Sequence, residues 1–214
     1  MALATWWYED GLPHLALQPG LTVEAAADDG LLARIANLSI DEVTRRRRDG
    51  HRPYLAMLEG KPAGYGWVAT RNASIGELDL EVQLPAGHRY LWDFATLPGF
   101  RGRGIYPQLL AEIIRRECPP ATRVWILFAP ENLPSGIGIE RAGFVPVAEL
   151  SFDESGRSAL APFEDQERTE VASQVFRIRL ADSDLDPCWG CDGCCCERPQ
   201  TASDGCACAI VPAR

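Results

Sequence analysis

The tetrad Arg101-Gly102-Arg103-Gly104 is the part of this chain best suited to hold a charged ligand. Two guanidiniums alternate with two glycines, and a helix-forming run, residues 105–117, follows at once. In that run Ile105, Leu109, Leu110, Ile113 and Ile114 share one face at helical spacing. Pro107 falls in the first turn, where a missing N–H costs little. A strand-like stretch, HRYLWDFATLP (88–98), leads in. A strand, a glycine turn and a helix start together form an anion site, because the first helical amides have no internal partners and the dipole adds positive charge. Gly102 and Gly104 let the backbone approach a phosphate, while Arg101 and Arg103 supply charge. A P-loop would need Gly-Lys-Ser/Thr, and the only lysine is Lys61. A dinucleotide fingerprint would need three glycines at wider spacing. An ordinary glycine-containing turn between strand and helix is the plain alternative.

Carboxylates and cysteines make two further sets. Asp93 lies on the strand before the turn. The stretch 75–84 alternates Leu78, Leu80, Val82 and Leu84 with Glu77, Asp79, Glu81 and Gln83, which reads as one strand with an acidic face. Asp93 is a candidate general base, and Glu81 and Asp79, read as one strand over, could act through water. The alternatives are a hydrogen-bonded structural carboxylate and an ordinary solvated strand face. Of the eight cysteines only Cys118 precedes residue 188. Cys188, Cys191 and Cys194 have ligand-like C-x2-C spacing, which Cys206 and Cys208 could complete. A soft thiolate site for zinc or Cu(I), disulfides, and a redox-responsive tail all fit that pattern.

These residues sit in a chain of 214, enough for one sizeable domain plus an appendage. A net charge of −9 disfavours a nucleic-acid partner. The N-terminus lacks the basic start and apolar run of a signal peptide, and no apolar stretch is long enough to cross a membrane, so the cytoplasm is the expected compartment. The expected division is an irregular N-terminal extension (1–20, with one strand at most), a body (21–180) and a cysteine-rich tail (181–214). Trp6, Trp7 and Tyr8 read as packing, with a substrate lid as the alternative.

The positioning elements follow in order. Residues 21–26 read as a strand, and Asp28 or Asp29 caps a helix over 30–38. Ser39-Ile40-Asp41-Glu42 has capping-box spacing and opens a second helix ending in four arginines, 45–48. That run reads as a solvated last turn, with a patch for an acidic group as the alternative. Residues 54–59 and 63–70 read as a hairpin. Residues 122–129 form a near-continuous apolar run, as expected for a strand covered on both faces. Asn132 to Gly143 reads as a short helix, 144–152 as a strand, 153–170 as a loop, and 171–180 as a last strand.

The turn resembles the acetyl-CoA pyrophosphate loop of the Gcn5-related N-acetyltransferases, the GNAT family, whose pattern is Arg/Gln-x-x-Gly-x-Gly/Ala. The matching residues are Arg101, Gly104 and Tyr106, the last in place of a small residue. Asn132-x-x-Ser135 followed by Gly143-Phe144 is similar to a second family segment. The resemblance covers about residues 21–180. It implies an α/β (α+β) GNAT fold, a mixed, mostly antiparallel sheet splayed between its fourth and fifth core strands and flanked by helices. It also implies acetyl-CoA as cosubstrate. The pyrophosphate would lie on Gly102, Arg103, Gly104, Ile105 and Tyr106, and the pantetheine arm along Phe94 and Thr96, with Asn132 and Ser135 on its other side. The implied reaction is acetyl transfer to the amine of a small molecule or peptide by direct attack on the thioester. A homodimer is compatible with this reading. Many members carry a proton-donating tyrosine four residues after the motif serine; here that position is Ile139. A binding module with a metal- or redox-sensing tail and little catalysis is the second reading.

Overall fold

The computed structural model describes residues 1–152 and 157–181. The expected tail ligands Cys188, Cys191, Cys194, Cys206 and Cys208 lie outside the described residues. The strands are β1 (Ala2–Trp7), β2 (Leu21–Ala25), β3 (His51–Leu58), β4 (Lys61–Ala69), β5 (Asn72–Ile75), β6 (Leu80–Gln83), β7 (His88–Thr96), β8 (Arg123–Phe128), β9 (Val145–Phe152), β10 (Ser158–Pro162) and β11 (Arg179–Leu180). The helices are α1 (Asp29–Ala36), α2 (Ile40–Arg48), α3 (Ile105–Glu117), α4 (Leu133–Arg141) and α5 (Gln166–Phe176). Nine strands form one sheet in the order β11-β10-β9-β1-β8-β7-β4-β3-β2. Pairing is antiparallel except between β7 and β8 and between β10 and β11. This is the mixed, mostly antiparallel α/β architecture expected.

Local chemistry explains most of the elements. Asp28 accepts the Leu31 N–H at the start of α1, and Ser39 accepts that of Glu42 at the start of α2. The capping box is not closed, because the Glu42 carboxylate turns to Arg45 and Arg46 instead. The β3–β4 hairpin turns on Glu59 and Gly60, both in the left-handed region at φ 50° and 74°, as a two-residue hairpin turn requires. On one face of the sheet α3 packs Leu109, Leu110, Ile113 and Ile114 into a core that includes Val23, Ala56, Leu91 and Ile126. The opposite face carries α1 and α2 around Leu32, Val43 and Trp67, and α5 with the β5–β6 hairpin around Trp125, Val147 and Phe176.

Four expectations are corrected. Residues 2–7 are not part of an irregular extension: β1 lies inside the sheet, antiparallel to β8 on one side and β9 on the other, and all six of its residues are buried. Alternation explains the burial, since Ala4 and Trp6 face the α3 side and Leu3 faces the α5 side. Residues 75–84 are not one strand. They break into the end of β5, a 3-10 turn over Gly76–Leu78, Asp79 in the left-handed region at φ 47°, and β6. Residues 158–162, expected in a loop, form β10. Most of 171–180 is helical: Thr169, Ala172, Val175 and Phe176 are buried at helical spacing, Asp165 caps the start, and Arg177 closes the helix at φ 54°.

The sheet also contains a pH-sensitive contact. The fully buried Trp125 donates its indole N–H to Nδ1 of His88 at 3.1 Å. Burial, with help from Arg123 and Arg89, pulls His88 down to about 4 from an ordinary 6.5. The unfolded chain therefore takes up a proton near 6.5 that the folded chain refuses until about 4. Stability is complete above that window and falls as pH drops through it. The melting temperature of His88→Asn, followed by circular dichroism, is expected to fall less between pH 7 and pH 4 than that of the unaltered chain.

Candidate functional site

β7 ends at Thr96, and the N–H of Leu97 is held by the carbonyl of Ala63 at 2.9 Å. A 3-10 turn over Pro98–Phe100 then delivers the Arg/Gly tetrad to the start of α3. Gly102 and Gly104 take φ of 75° and 68°, a left-handed conformation that side-chain-bearing residues resist. Gly104 is the N-cap and offers no side-chain acceptor, so the first amides of α3 have no capping partner. Gln108 folds back without filling that role: its amide donates to Gly104 O at 2.8 Å and its oxygen accepts from Gln18 N. Arg101 donates to Thr96 O at 3.3 Å, and Arg103 lies over the Phe100 ring at 5.6 Å. Neither arginine has a carboxylate partner among the described residues. Open amides, two guanidiniums without carboxylate partners and two glycines in the left-handed region fit a pyrophosphate.

The strand that feeds this loop also opens beside it. β7 and β8 are paired only from His88 to Leu91 on β7 and from Arg123 to Ile126 on β8. Beyond that point Trp92–Thr96 stays paired to β4 alone, while β8 stays with β1. The strands therefore splay where they approach the loop. A bulge marks the opening: Tyr65 pairs with Ala95 and Trp67 with Trp92, so Gly66 faces both Asp93 and Phe94. Asp93 sits at φ 49° to make the extra step. The Phe94 ring lies directly on Gly66, where an added Cβ would fall 2.0 Å from Phe94 Cε1.

Tyr106 closes the inner end of the splay. Its ring meets that of Phe94 edge-on at 5.8 Å, and its hydroxyl is 3.4 Å from Ser135 Oγ. Burial pushes its phenol up to about 12, against the opposing pull of Ser135. A tyrosine is accommodated at this small-residue position because α4 gives way: a Cβ on Gly138 would lie 2.7 Å from Tyr106 Cδ1. Gly138→Ala is expected to destabilise the fold by about 1–3 kcal/mol through overpacking. Tyr106→Leu should recover part of that loss in the double variant, measured by urea unfolding.

The remaining expected residues divide. Asn132 caps α4, its Oδ1 accepting Ser135 N–H at 3.3 Å, so it has the structural role. Ile139 is fully buried in the α3-side core, and no proton donor stands there. Glu81 is not one strand over from Asp93. β4 occupies that place, and Glu81 is exposed on β6 opposite Ser74, in a separate two-stranded sheet. Asp93 forms an ion pair with Arg46, a residue the sequence offered as part of an arginine run read as a solvated last turn or a patch for an acidic group. The Arg46 guanidinium lies 4.4 Å from the Trp92 ring centroid and 5.0 Å from that of Trp67. Tyr65 adds a hydrogen bond to Asp93, and its phenol is raised first by burial and then by that carboxylate. Among the described residues no cluster of His, Cys, Asp and Glu is arranged to hold a metal ion, and no helix is long and apolar enough to cross a membrane.

The sequence pattern of the acetyltransferase (GNAT) family matches residues 22–144. No curated protein matches the chain in sequence. Among solved structures it is similar to a GCN5-related N-acetyltransferase from Kribbella flavida, at 17% identity over 68% of this chain and 53% of that one, with a TM-score of 0.47. A putative GNAT-family acetyltransferase from Novosphingobium aromaticivorans shows 17% identity over 68% and 59%, TM-score 0.47. The structure of AAC(6')-Ib with paromomycin and acetyl-CoA shows 18% identity over 66% and 91%, TM-score 0.48. The matched region spans little more than half the length of the first two. With a family match over more than half its length, and with the loop and splay formed by the matched residues, this chain belongs to the acetyltransferase (GNAT) family.

Proposed function

We propose that this chain is an acetyl-CoA-dependent N-acetyltransferase that transfers acetyl to the amine of a small molecule or peptide by direct attack on the thioester. The observation that carries the reading is the series arrangement on one strand: β7 bulges at Asp93, parts from β8, and runs into an uncapped helix start flanked by Arg101 and Arg103. An extended ligand with an anionic end and a polar arm fits that series.

Gly102 to Tyr106 offer backbone and helix charge to the pyrophosphate, and Arg101 and Arg103 add ionic contacts. The unpaired edge of β7 at Phe94 and Thr96 supplies hydrogen bonds to the pantetheine amides, with Asn132 and Ser135 opposite. Acetyl-CoA supplies the activated acyl group. The backbone at the bulge polarises its carbonyl, which requires donors set in place before reaction. Asp93, the carboxylate at the bulge, receives the amine proton, and Arg46 positions it. Glu81 takes no part, because its strand is not beside β7.

Isothermal titration of acetyl-CoA into the full chain tests the holding step; absence of saturable heat would sink the proposal. For the chemistry, Asp93→Asn is expected to lower kcat/KM by roughly a hundredfold or more, the usual scale of a lost acid–base group, with acetyl-CoA affinity unchanged. Release of free CoA with an acceptor found in an amine panel measures it. A wild-type rate in Asp93→Asn would assign the carboxylate a purely structural role. The buried Ile139 favours one second reading, an acyl-CoA-binding module with little catalysis. Tight acetyl-CoA binding without CoA release across the panel would support that module instead.

A further inference from the structure

The four arginines at the end of α2 are unequally committed. Arg45 pairs with Glu42 and Asp49, Arg46 with Glu42 and Asp93, and Arg47 with Asp29. Arg48 pairs with no carboxylate among the described residues. With Asp49, Arg71, Asn72, Gln83 and Leu84 it lines a groove of about 450 Å³ between α2 and the β5–β6 hairpin. Arg71 also lacks a carboxylate partner among the described residues. Its guanidinium rests on Gly50, where a Cβ would lie 2.7 Å from Nε, and donates to Arg48 O at 3.2 Å. Asp49 is taken by Arg45. Asn72 and Gln83, paired across the hairpin, add side-chain amides. Two guanidiniums without carboxylate partners among the described residues thus share a concavity in a chain of net charge −9. Their forked donors suit carboxylate or phosphate oxygens.

The groove adjoins the splay through packed side chains. His51, two residues after Asp49, accepts the Trp92 indole N–H at 3.0 Å and stands edge-on to that ring at 5.1 Å. Trp92 immediately precedes Asp93. Along the sheet, Arg71 lies two residues beyond Ala69, which pairs with Tyr90, itself three residues before Asp93. At about 3.3 Å per residue the groove is roughly 15–20 Å from the bulge.

We infer that the groove between α2 and the β5–β6 hairpin is an oxyanion site. On the acetyltransferase reading above, it holds the carboxylate or phosphate of an acceptor whose amino group reaches the bulge at Asp93. The acceptor is then an amine bearing an anionic group at a distance, despite the acidic net charge of the chain.

Inorganic phosphate, titrated into the ¹⁵N-labelled full chain with and without saturating CoA, tests the site. Saturable amide shifts at Arg48, Arg71, Asn72 and Gln83 are expected in both conditions. Affinity should fall about tenfold or more in Arg48→Ala/Arg71→Ala, whose exposed substitutions leave the core untouched. No saturable shift, shifts abolished by CoA, or shifts unchanged in the double variant would overturn the site. The acceptor half is read separately, from acids paired with their methyl esters. The acid should give at least about tenfold higher kcat/KM, a preference that disappears in the double variant. Equal turnover of acid and ester would overturn that half. If acetyl-CoA fails to bind while phosphate still occupies the groove, the acetyltransferase reading falls and the oxyanion site stands.

Discussion

Glu117→Ala is expected to lower the free energy of unfolding by about 3–5 kcal/mol, the scale for breaking a buried charged network from one side. Glu117 is 1% exposed at the last turn of α3. That end of a helix disfavours an anion, because the unpaired carbonyls carry partial negative charge. Three neighbours offset the cost. Arg89 donates at 2.7 Å, Tyr54 at 2.8 Å, and Arg52 at 3.0 and 3.2 Å. Arg89 is itself 5% exposed, so removing the carboxylate leaves a buried guanidinium without its partner. Burial and the charge of Glu117 together push the Tyr54 phenol well above its ordinary range. Glu117→Gln should cost less, because a neutral oxygen still accepts hydrogen bonds. Urea midpoints at constant m-value measure both. The network joins the C-terminal end of α3 to β3 and β7, and the N-terminal end of α3 carries the loop. Loss of acetyl-CoA affinity in the fraction that remains folded is therefore also expected. A change below about 1 kcal/mol in Glu117→Ala would show that water replaces the carboxylate.

The second large effect is on binding. Arg101→Ala/Arg103→Ala is expected to weaken acetyl-CoA by roughly tenfold to a hundredfold, one charge-assisted contact per arginine. Both side chains are exposed, and neither is tied to a carboxylate among the described residues, so stability should shift by less than about 0.5 kcal/mol. The salt dependence of binding should flatten as well, because the lost contacts are the screened ones. Titrations at two ionic strengths separate this outcome from general loss of fold. Unchanged affinity in the double variant would place the pyrophosphate elsewhere.

What could be read along the chain was what short range decides. The caps Asp28 and Ser39, the apolar face of α3, the break after Cys118 and the Gly/Arg turn all depend on residues within about one helical turn of each other. Where the reading failed, distant partners had chosen. Residues 75–84 alternate as a strand should, yet the hairpin they form with 72–75 needs a reversal, and Asp79 takes the left-handed turn that supplies it. In residues 171–180 Phe176, Ile178 and Leu180 alternate with Arg177 and Arg179 as in a strand. The pockets offered by β9 and β10, together with the Asp165 cap, select the helical face of Ala172, Val175 and Phe176 instead.

The clearest case is β1. Nothing within Ala2–Trp7 says that it belongs between β8 and β9, because both partners lie more than a hundred residues away. Arg46 makes the same point within the site. As sequence it is one of four arginines in a last turn; as structure it alone of the four crosses onto the sheet, to Asp93 between Trp67 and Trp92. The Arg/Gly tetrad and the helix behind it were enough to suggest a site for a phosphate-like group, since uncapped amides and glycine φ values are local properties. Which carboxylate stands at the bulge, what neutralises it, and which arginines are left for a second anion were decided only when strands far apart in sequence were paired. Charge pairing depends on distance in space, which spacing along the chain does not encode.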